Sequence, residues 1–290
     1  MQNGKMNWVA ALMAAVLLAG CGGDGDEADA APSPAPSPAP SPSPAPGPAP
    51  APGPAPAPAP APGQAGAGRD CVNPDLYKVG TVYSYEVRNS SGTENGETLW
   101  DHAITREAEF NGHAGLVEHE IKTTIKMAGQ PTKNGHQYLY ERLAESAVFR
   151  YGMVIPTVLG QGIPDMVITT TYEPPVGFRA LALGVGESYV LELQGTVSAT
   201  GGPTGSAPPV QLSDRWTETY LGQESVTVPA GTFTTCKVWT QVIGTDSDVI
   251  SWVAKGSGLP VRSLQRAEGK EWLSELLPGA TINGEPVRVE

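Results

Sequence analysis

The sequence predicts an all-β, mainly antiparallel domain, built as a curved sheet, half-barrel or sandwich and preceded by a signal peptide and a disordered proline-rich linker. Three observations carry that prediction. Runs of strict apolar and polar alternation recur along the chain, which is the period of a half-buried strand. Turn-forming Gly, Asn and Pro clusters separate those runs, and no long stretch sustains a helical period.

At the N-terminus, Lys5 precedes the apolar run Trp8–Leu18, which is short for a membrane span and ordinary for the core of a signal peptide. The run ends in Leu18-Ala19-Gly20-Cys21, which resembles the bacterial lipobox. That resemblance implies cleavage after residue 20, a thioether to diacylglycerol on Cys21 and acylation of its freed amine. Several acyl chains give stable anchoring where one would bind only marginally. Gly22 stands where Asp would favour inner-membrane retention, so the resemblance implies a cell-envelope protein, with the outer membrane favoured and its domain in the periplasm or at the cell surface.

Residues 21–70 read as a tether. Pro occupies every even position from Pro32 to Pro62, with Ala, Ser or Gly between. Each Pro removes a backbone donor and holds the residue before it in extended geometry, so a helix is excluded. With nothing apolar to bury, the segment is expected to be solvated and polyproline-II-like, on the order of 100 Å long at about 3.1 Å per residue. It lifts the domain off the membrane or serves as a tolerated spacer.

Residues 71–290 then form the β-rich domain. In Thr81–Arg88, Tyr83, Tyr85 and Val87 share one face. In Val117–Met127, His119 lies with Val117, Ile121 and Ile125, while Glu118, Glu120 and Lys122 face the other way. Gln137–Ala147 fits a helix and a strand equally. Tyr189, Leu191 and Leu193 line one side of the next run. Pro229-Ala230-Gly231 suits a tight turn, so Glu224–Val228 and Phe233–Val242 should pair as a hairpin. Asn95-Gly96, Asn111-Gly112, Asn134-Gly135, Gly201-Gly202-Pro203, Gly256-Ser257-Gly258 and Asn283-Gly284 read as the other turns.

Cys21 aside, the chain has two cysteines, Cys71 and Cys236, in a compartment that permits disulfides. One bridge between them is the first expectation; one buried and one reactive thiol is the alternative. Neither has a CxxC neighbour, which argues against redox and metal roles.

Gly222–Val238 and Trp252–Arg262 are similar to the closing strands of a diffuse group of bacterial lipoproteins, and Leu76–Tyr85 is similar to their first strand. The resemblance implies the curved half-barrel of the lipoprotein-localisation carriers, whose concave apolar face can hold acyl chains. It transfers no catalytic residue.

Charge and motifs exclude more than they assign. The chain carries a net charge of −12, which repels phosphate backbones and argues against nucleic-acid partners. His102, His113, His119 and His136 lack zinc-ligand spacing, Asp246-Ser247-Asp248 lacks the remainder of a calcium loop, and no nucleophile elbow or phosphate loop is present. The expectation is therefore a non-enzymatic protein with no catalytic residues, metal or cofactor. The residues expected to touch a ligand are His119, Trp216, Tyr220, Trp239 and Trp252, around a concavity that takes an apolar or amphiphilic molecule. The alternative is a structural scaffold that binds another envelope protein.

Overall fold

The computed structural model describes residues 67–92, 94–159, 164–203 and 205–289. The signal peptide, Cys21 and nearly all of the tether lie outside the described residues. Residues 67–70, assigned to the tether from sequence, belong to the fold: Ala67–Cys71 is a 3-10 turn, and the Asp70 carbonyl accepts from the Gly256 N–H at 2.8 Å.

Twelve strands follow in a simple meander: β1 (Val82–Ser91), β2 (Glu94–Phe110), β3 (His113–Met127), β4 (Lys133–Ala144), β5 (Ala147–Thr157), β6 (Met166–Phe178), β7 (Ser188–Gly201), β8 (Ala207–Val228), β9 (Gly231–Val242), β10 (Asp248–Ala254), β11 (Pro260–Ala267) and β12 (Lys270–Leu276). Each pairs antiparallel with its sequence neighbour. The last returns to the first, with Val87 opposite Leu276 and Ser90 opposite Leu273. The expected half-barrel or sandwich is thus corrected to a closed barrel. An even number of meandering strands brings first and last together antiparallel, and closure removes the open edges a curved sheet would leave. Two short strands, β13 (Thr281–Ile282) and β14 (Glu285–Pro286), extend the β12 side along β1.

Turn chemistry explains where strands reverse and where they do not. Asn111 and Gly112 have φ of 49° and 79° and join β2 to β3; Asn283 and Gly284, at 52° and 81°, join β13 to β14. Asn95-Gly96 and Asn134-Gly135 are not turns. They sit inside β2 and β4, paired with Ser90 and Asn89 and with Thr124 and Thr123. Their glycines answer to crowding: a Cβ at Gly135 would lie 2.3 Å from Thr123 Oγ1, and one at Gly96 2.8 Å from the Lys126 carbonyl oxygen. Gln137–Ala147, open between helix and strand, is strand β4 running into the β4–β5 turn.

The tightest such approach makes a test. A Cβ at Gly195 would lie 2.0 Å from the Thr171 carbonyl oxygen, which is backbone and cannot swing away. Gly195→Ala is expected to destabilise the barrel by about 1–3 kcal/mol, read as a lower urea midpoint. An unchanged midpoint would mean that β6 and β7 slide freely at this point.

A barrel of eight strands is just filled by its own side chains, so twelve enclose a wider lumen. Part of it is closed by residues 67–81, which cross one end as a plug. The Cys71–Cys236 disulfide ties the plug to β9, as the first expectation had it. Asn73 Nδ2 donates to the Ser257 carbonyl, Lys255 pairs with Asp70 at 3.1 Å, and the turn Pro74–Tyr77 reaches β4. Leu76 packs into an apolar cluster with Tyr85, Val87, Val261 and Leu276. The C-terminal ends of β1, β3, β5, β7, β9 and β11 lie at the other end, which forms the mouth.

Candidate functional site

Register fixes which side chains face the lumen. Tyr83, Tyr85 and Val87 of β1 oppose His102, Trp100 and Thr98 of β2, and these oppose Ile121, Thr123 and Ile125 of β3. His119 follows on the same face, beside Leu139 of β4. As alternation requires, Glu118 and Glu120 project outward. Glu118 accepts from Arg106, Thr105 and Tyr140, and Glu120 pairs with Lys122 and His136.

The carboxylate that meets His119 comes instead from the next strand. Glu141 is buried, with Oε2 3.1 Å from His119 Nδ1, while Oε1 accepts from Arg150 Nε and Nη2 at 2.9 and 2.7 Å. Arg150 stacks over the Phe178 ring at 5.0 Å. On its other side, His119 Nε2 lies 2.9 Å from His102 Nδ1 and 3.2 Å from the Tyr83 hydroxyl. Tyr83 stacks on His102 with centroids 4.2 Å apart. The result is a buried chain, Arg150–Glu141–His119–His102, with Tyr83 alongside.

Electrostatics explain why this chain tolerates burial. Burial alone would raise the Glu141 carboxyl. The Arg150 charge and the His119 hydrogen bond outweigh it and bring the group down to about 2, so Glu141 is ionised. Burial, assisted by His119, holds His102 well below the usual imidazole range, so His102 is uncharged. One anion and one cation therefore balance each other, and each is hydrogen-bonded, as buried charges must be. A second carboxyl, Glu218 of β8, accepts a hydrogen bond from Tyr189 and is raised by burial.

Nearer the mouth the lumen opens into a cavity of about 260 Å³, walled by Tyr85, Trp100, Ser251, Ser263, Gln265 and Ser274 among others. This wall, on β1, β2 and β10–β12, mixes these hydroxyls and amides with the apolar Val87, Val249, Pro260 and Val261. The facing wall is apolar: Met153 opposes Leu139 and Thr170, Ile155 opposes Ile168, and Val197 opposes Val210. Ile121, Leu139 and Met153 pack there with Trp100 and Ile155. Toward the mouth, Val158, just after β5, is 80% exposed and Val210 of β8 is 61% exposed.

The five residues expected to touch a ligand do not share a site. His119 lies in the buried chain. Trp216 is buried against Leu191, Leu193 and Tyr172, and fully buried Tyr220 packs beside the disulfide. Trp239 and Trp252 fall on the opposite face of β9 and β10, because they pair with Thr219 and Lys237 while Trp216 and Tyr220 pair with Val242 and Val238. Trp239 donates to Asp248 at 2.7 Å, and Trp252 donates to Glu224 and lies under Lys237. Their aromaticity is used in packing. Sequence reasoning missed Tyr83, Trp100, His102, Glu141 and Arg150. Alternation of Trp100, His102 and Ile104 was the available signal for His102.

No protein-family model matches the sequence, and no curated protein is significantly similar to it. Among solved structures, a candidate exported protein with a YmcC-like fold from Bacteroides fragilis is 13% identical, over 70% of this chain and 96% of its own, with a TM-score of 0.34. A β-barrel-like protein of a domain of unknown function from Brucella abortus is 8% identical, over 70% and 98%, at 0.33. A candidate lipoprotein from Parabacteroides distasonis is 13% identical, over 71% and 96%, at 0.35. Likeness at this level carries no argument about function.

Among the described residues, no three His, Cys, Asp or Glu side chains converge as a metal site requires. What the arrangement supplies chemically is a fixed line of hydrogen-bond donors and acceptors beside a cavity of mixed polar and apolar lining.

Proposed function

We propose that this protein is a non-enzymatic lipoprotein of the cell envelope, anchored through lipid on Cys21, with the outer membrane favoured, and that its barrel binds a small amphiphilic ligand in the lumen. The lipobox resemblance and the proline tract support the address. One observation carries the binding clause: the cavity of about 260 Å³ is lined both by apolar side chains, Val87, Trp100, Val249 and Val261 among them, and by the hydroxyls and amides of Ser251, Ser263, Gln265 and Ser274. A purely apolar or purely polar guest would leave part of that lining unmatched.

The test uses the mature chain from Gly22 onward, secreted without its lipid so that the disulfide forms. Saturable uptake of a fluorescent acyl probe is expected, with Val249→Asp lowering affinity about tenfold or more by placing a charge on the apolar part of the cavity lining. If the wild-type chain takes up no probe, this reading is wrong.

A second reading, a scaffold for another envelope protein, is favoured by one feature. Residues 207–214 of β8 pair with β7, but pairing with β9 begins only at Trp216, so this edge is free among the described residues. Pro208 and Pro209 lack N–H groups and blunt it. Crosslinking in intact cells separates the readings: a recurrent protein adduct through this edge supports scaffolding.

A further inference from the structure

The cavity near the mouth carries an ordered row of polar side chains. Ser251 of β10 stands opposite Ser263 of β11, Ser263 opposite Ser274 of β12, and Ser274 opposite Asn89 of β1. Four adjoining strands thus each contribute one polar group at the same level, and all four groups line the cavity. Directly opposed positions on neighbouring strands lie roughly 4.5–5.5 Å apart at Cβ. Gln265, two residues further along β11 toward the mouth, adds an amide to the same lining.

One end of the row is fixed and the other is open. Ser274 Oγ lies 2.6 Å from Asn89 Oδ1, and Asn89 Nδ2 donates to Thr98 Oγ1 at 2.9 Å. The side chains of Ser251, Ser263 and Gln265 have no hydrogen-bond partner among the described residues. One step toward the plug the lining turns apolar. Val87 pairs there with Leu276, and Val261 joins them from β11. One step deeper again, Tyr85 pairs with Trp100, and their rings stack with centroids 6.3 Å apart. Water can satisfy free hydroxyls, but it needs no apolar shelf beneath them. Among the described residues, the one charged group in the lining is Arg262, whose guanidinium is committed to Glu275 at 2.8 Å.

We infer that the ligand of the lumen is a glycoside, with a neutral sugar ring at the Ser251–Ser263–Ser274 row and its apolar substituent directed toward the plug, against Val87, Val261 and the Trp100 ring. Each sugar hydroxyl both donates and accepts, and so do the serine hydroxyls and the Gln265 amide, so a polyol pairs with the row whichever way each proton points. The substituent covers apolar lining that a free sugar would leave wet. A phosphate, carboxylate or ammonium head would lose its hydration there and meet no free counter-charge. The inference rests on the proposed lumen binding and names the class of guest.

The experiment compares octyl β-glucoside, held below its micelle concentration, with 1-octanol and octyl phosphate on the mature unlipidated chain, by calorimetry and by displacement of the fluorescent acyl probe. The glucoside is expected to bind at least about tenfold more tightly than either, since a site built to bond hydroxyls rejects analogues that lack them. A change in tryptophan emission, absent in Trp100→Phe, should accompany binding; unchanged emission in the wild-type chain would put the ligand elsewhere and overturn the inference. Ser251→Ala and Ser263→Ala should each lower glucoside affinity about two- to tenfold, and together bring it toward that of octanol. The melting temperature should hold, because neither hydroxyl has a partner in the fold. Glucoside affinity no greater than that of octanol, or a preference that survives the double variant, would also overturn the inference, while uptake of the acyl probe would leave lumen binding standing. If none of the three binds and the acyl probe is not taken up, both readings fail.

Discussion

Glu141→Leu is expected to destabilise the protein by about 3–5 kcal/mol, the usual cost of removing one member of a buried ion pair. Leucine leaves the Arg150 guanidinium without its anion and His119 Nδ1–H without an acceptor. His119 is buried and Arg150 only partly exposed, so neither is readily solvated in place. The double variant Glu141→Leu with Arg150→Met should recover most of the loss, because it removes both charges together. A double variant as unstable as the single one would show that the charge pair is not the cause.

The same pair sets the acid limb of stability. Glu141 is lowered from 4.5 to about 2 by folding, so its contribution is complete above the unfolded value and is lost as pH falls toward the folded one. His102 acts in the same direction from a higher pH: burial keeps it uncharged below 6.5, and there the unfolded chain gains a proton that the folded chain refuses. Stability should therefore decline as pH drops below about 6.5 and more steeply below about 4.5. Glu141→Gln should flatten the lower part of that decline alone. Parallel pH profiles for wild type and Glu141→Gln, measured by urea denaturation, would contradict an ionised Glu141.

Much of the barrel wall was legible because alternation reports a difference between two faces. Val117–Met127 has such a difference along its whole length, and it placed His119 inward and Glu118 and Glu120 outward. Closure was not legible, because the pairing of Val87 with Leu276 joins the two ends of the domain and leaves no local mark. Asn95-Gly96 and Asn134-Gly135 misled for a related reason: a glycine needed by a neighbouring strand looks, in one dimension, like a glycine needed by a turn. Glu141 keeps phase with Leu139 but lies in Gln137–Ala147, which reads equally as helix and strand, while Arg150 was hidden by a β-bulge. Register slips around Tyr151 in the ladders with both β4 and β6, so a simple period of two along β5 loses phase just where Arg150 turns inward. Aromatic content suggested a binding cluster at Trp216, Tyr220, Trp239 and Trp252, yet only pairing register could reveal that these occupy opposite faces of one sheet.

Replacing Cys71 and Cys236 together by serine is the second large effect. The bridge joins residues 165 apart in sequence, and the chain-entropy argument sets a ceiling of about 5 kcal/mol, with about 2–5 typical on removal of a native bridge. For a chain of this size that corresponds to a melting temperature lower by roughly 4–20 °C. Position makes the effect specific as well as large. Both cysteines are buried and lie with Tyr220, Ala180 and Val238 where the plug meets β8 and β9. Without the bridge the plug retains the Asp70–Lys255 ion pair, the Asn73 hydrogen bond and the Leu76 contacts, of which the exposed ion pair contributes little. Opening of residues 67–81 should then precede loss of the barrel, so amide exchange is expected to quicken in the plug before it does in β8 and β9. If exchange quickens everywhere together, plug and barrel are one cooperative unit. The disulfide then stabilises the whole fold, and the plug is no separate cover over the buried Arg150–Glu141–His119–His102 chain.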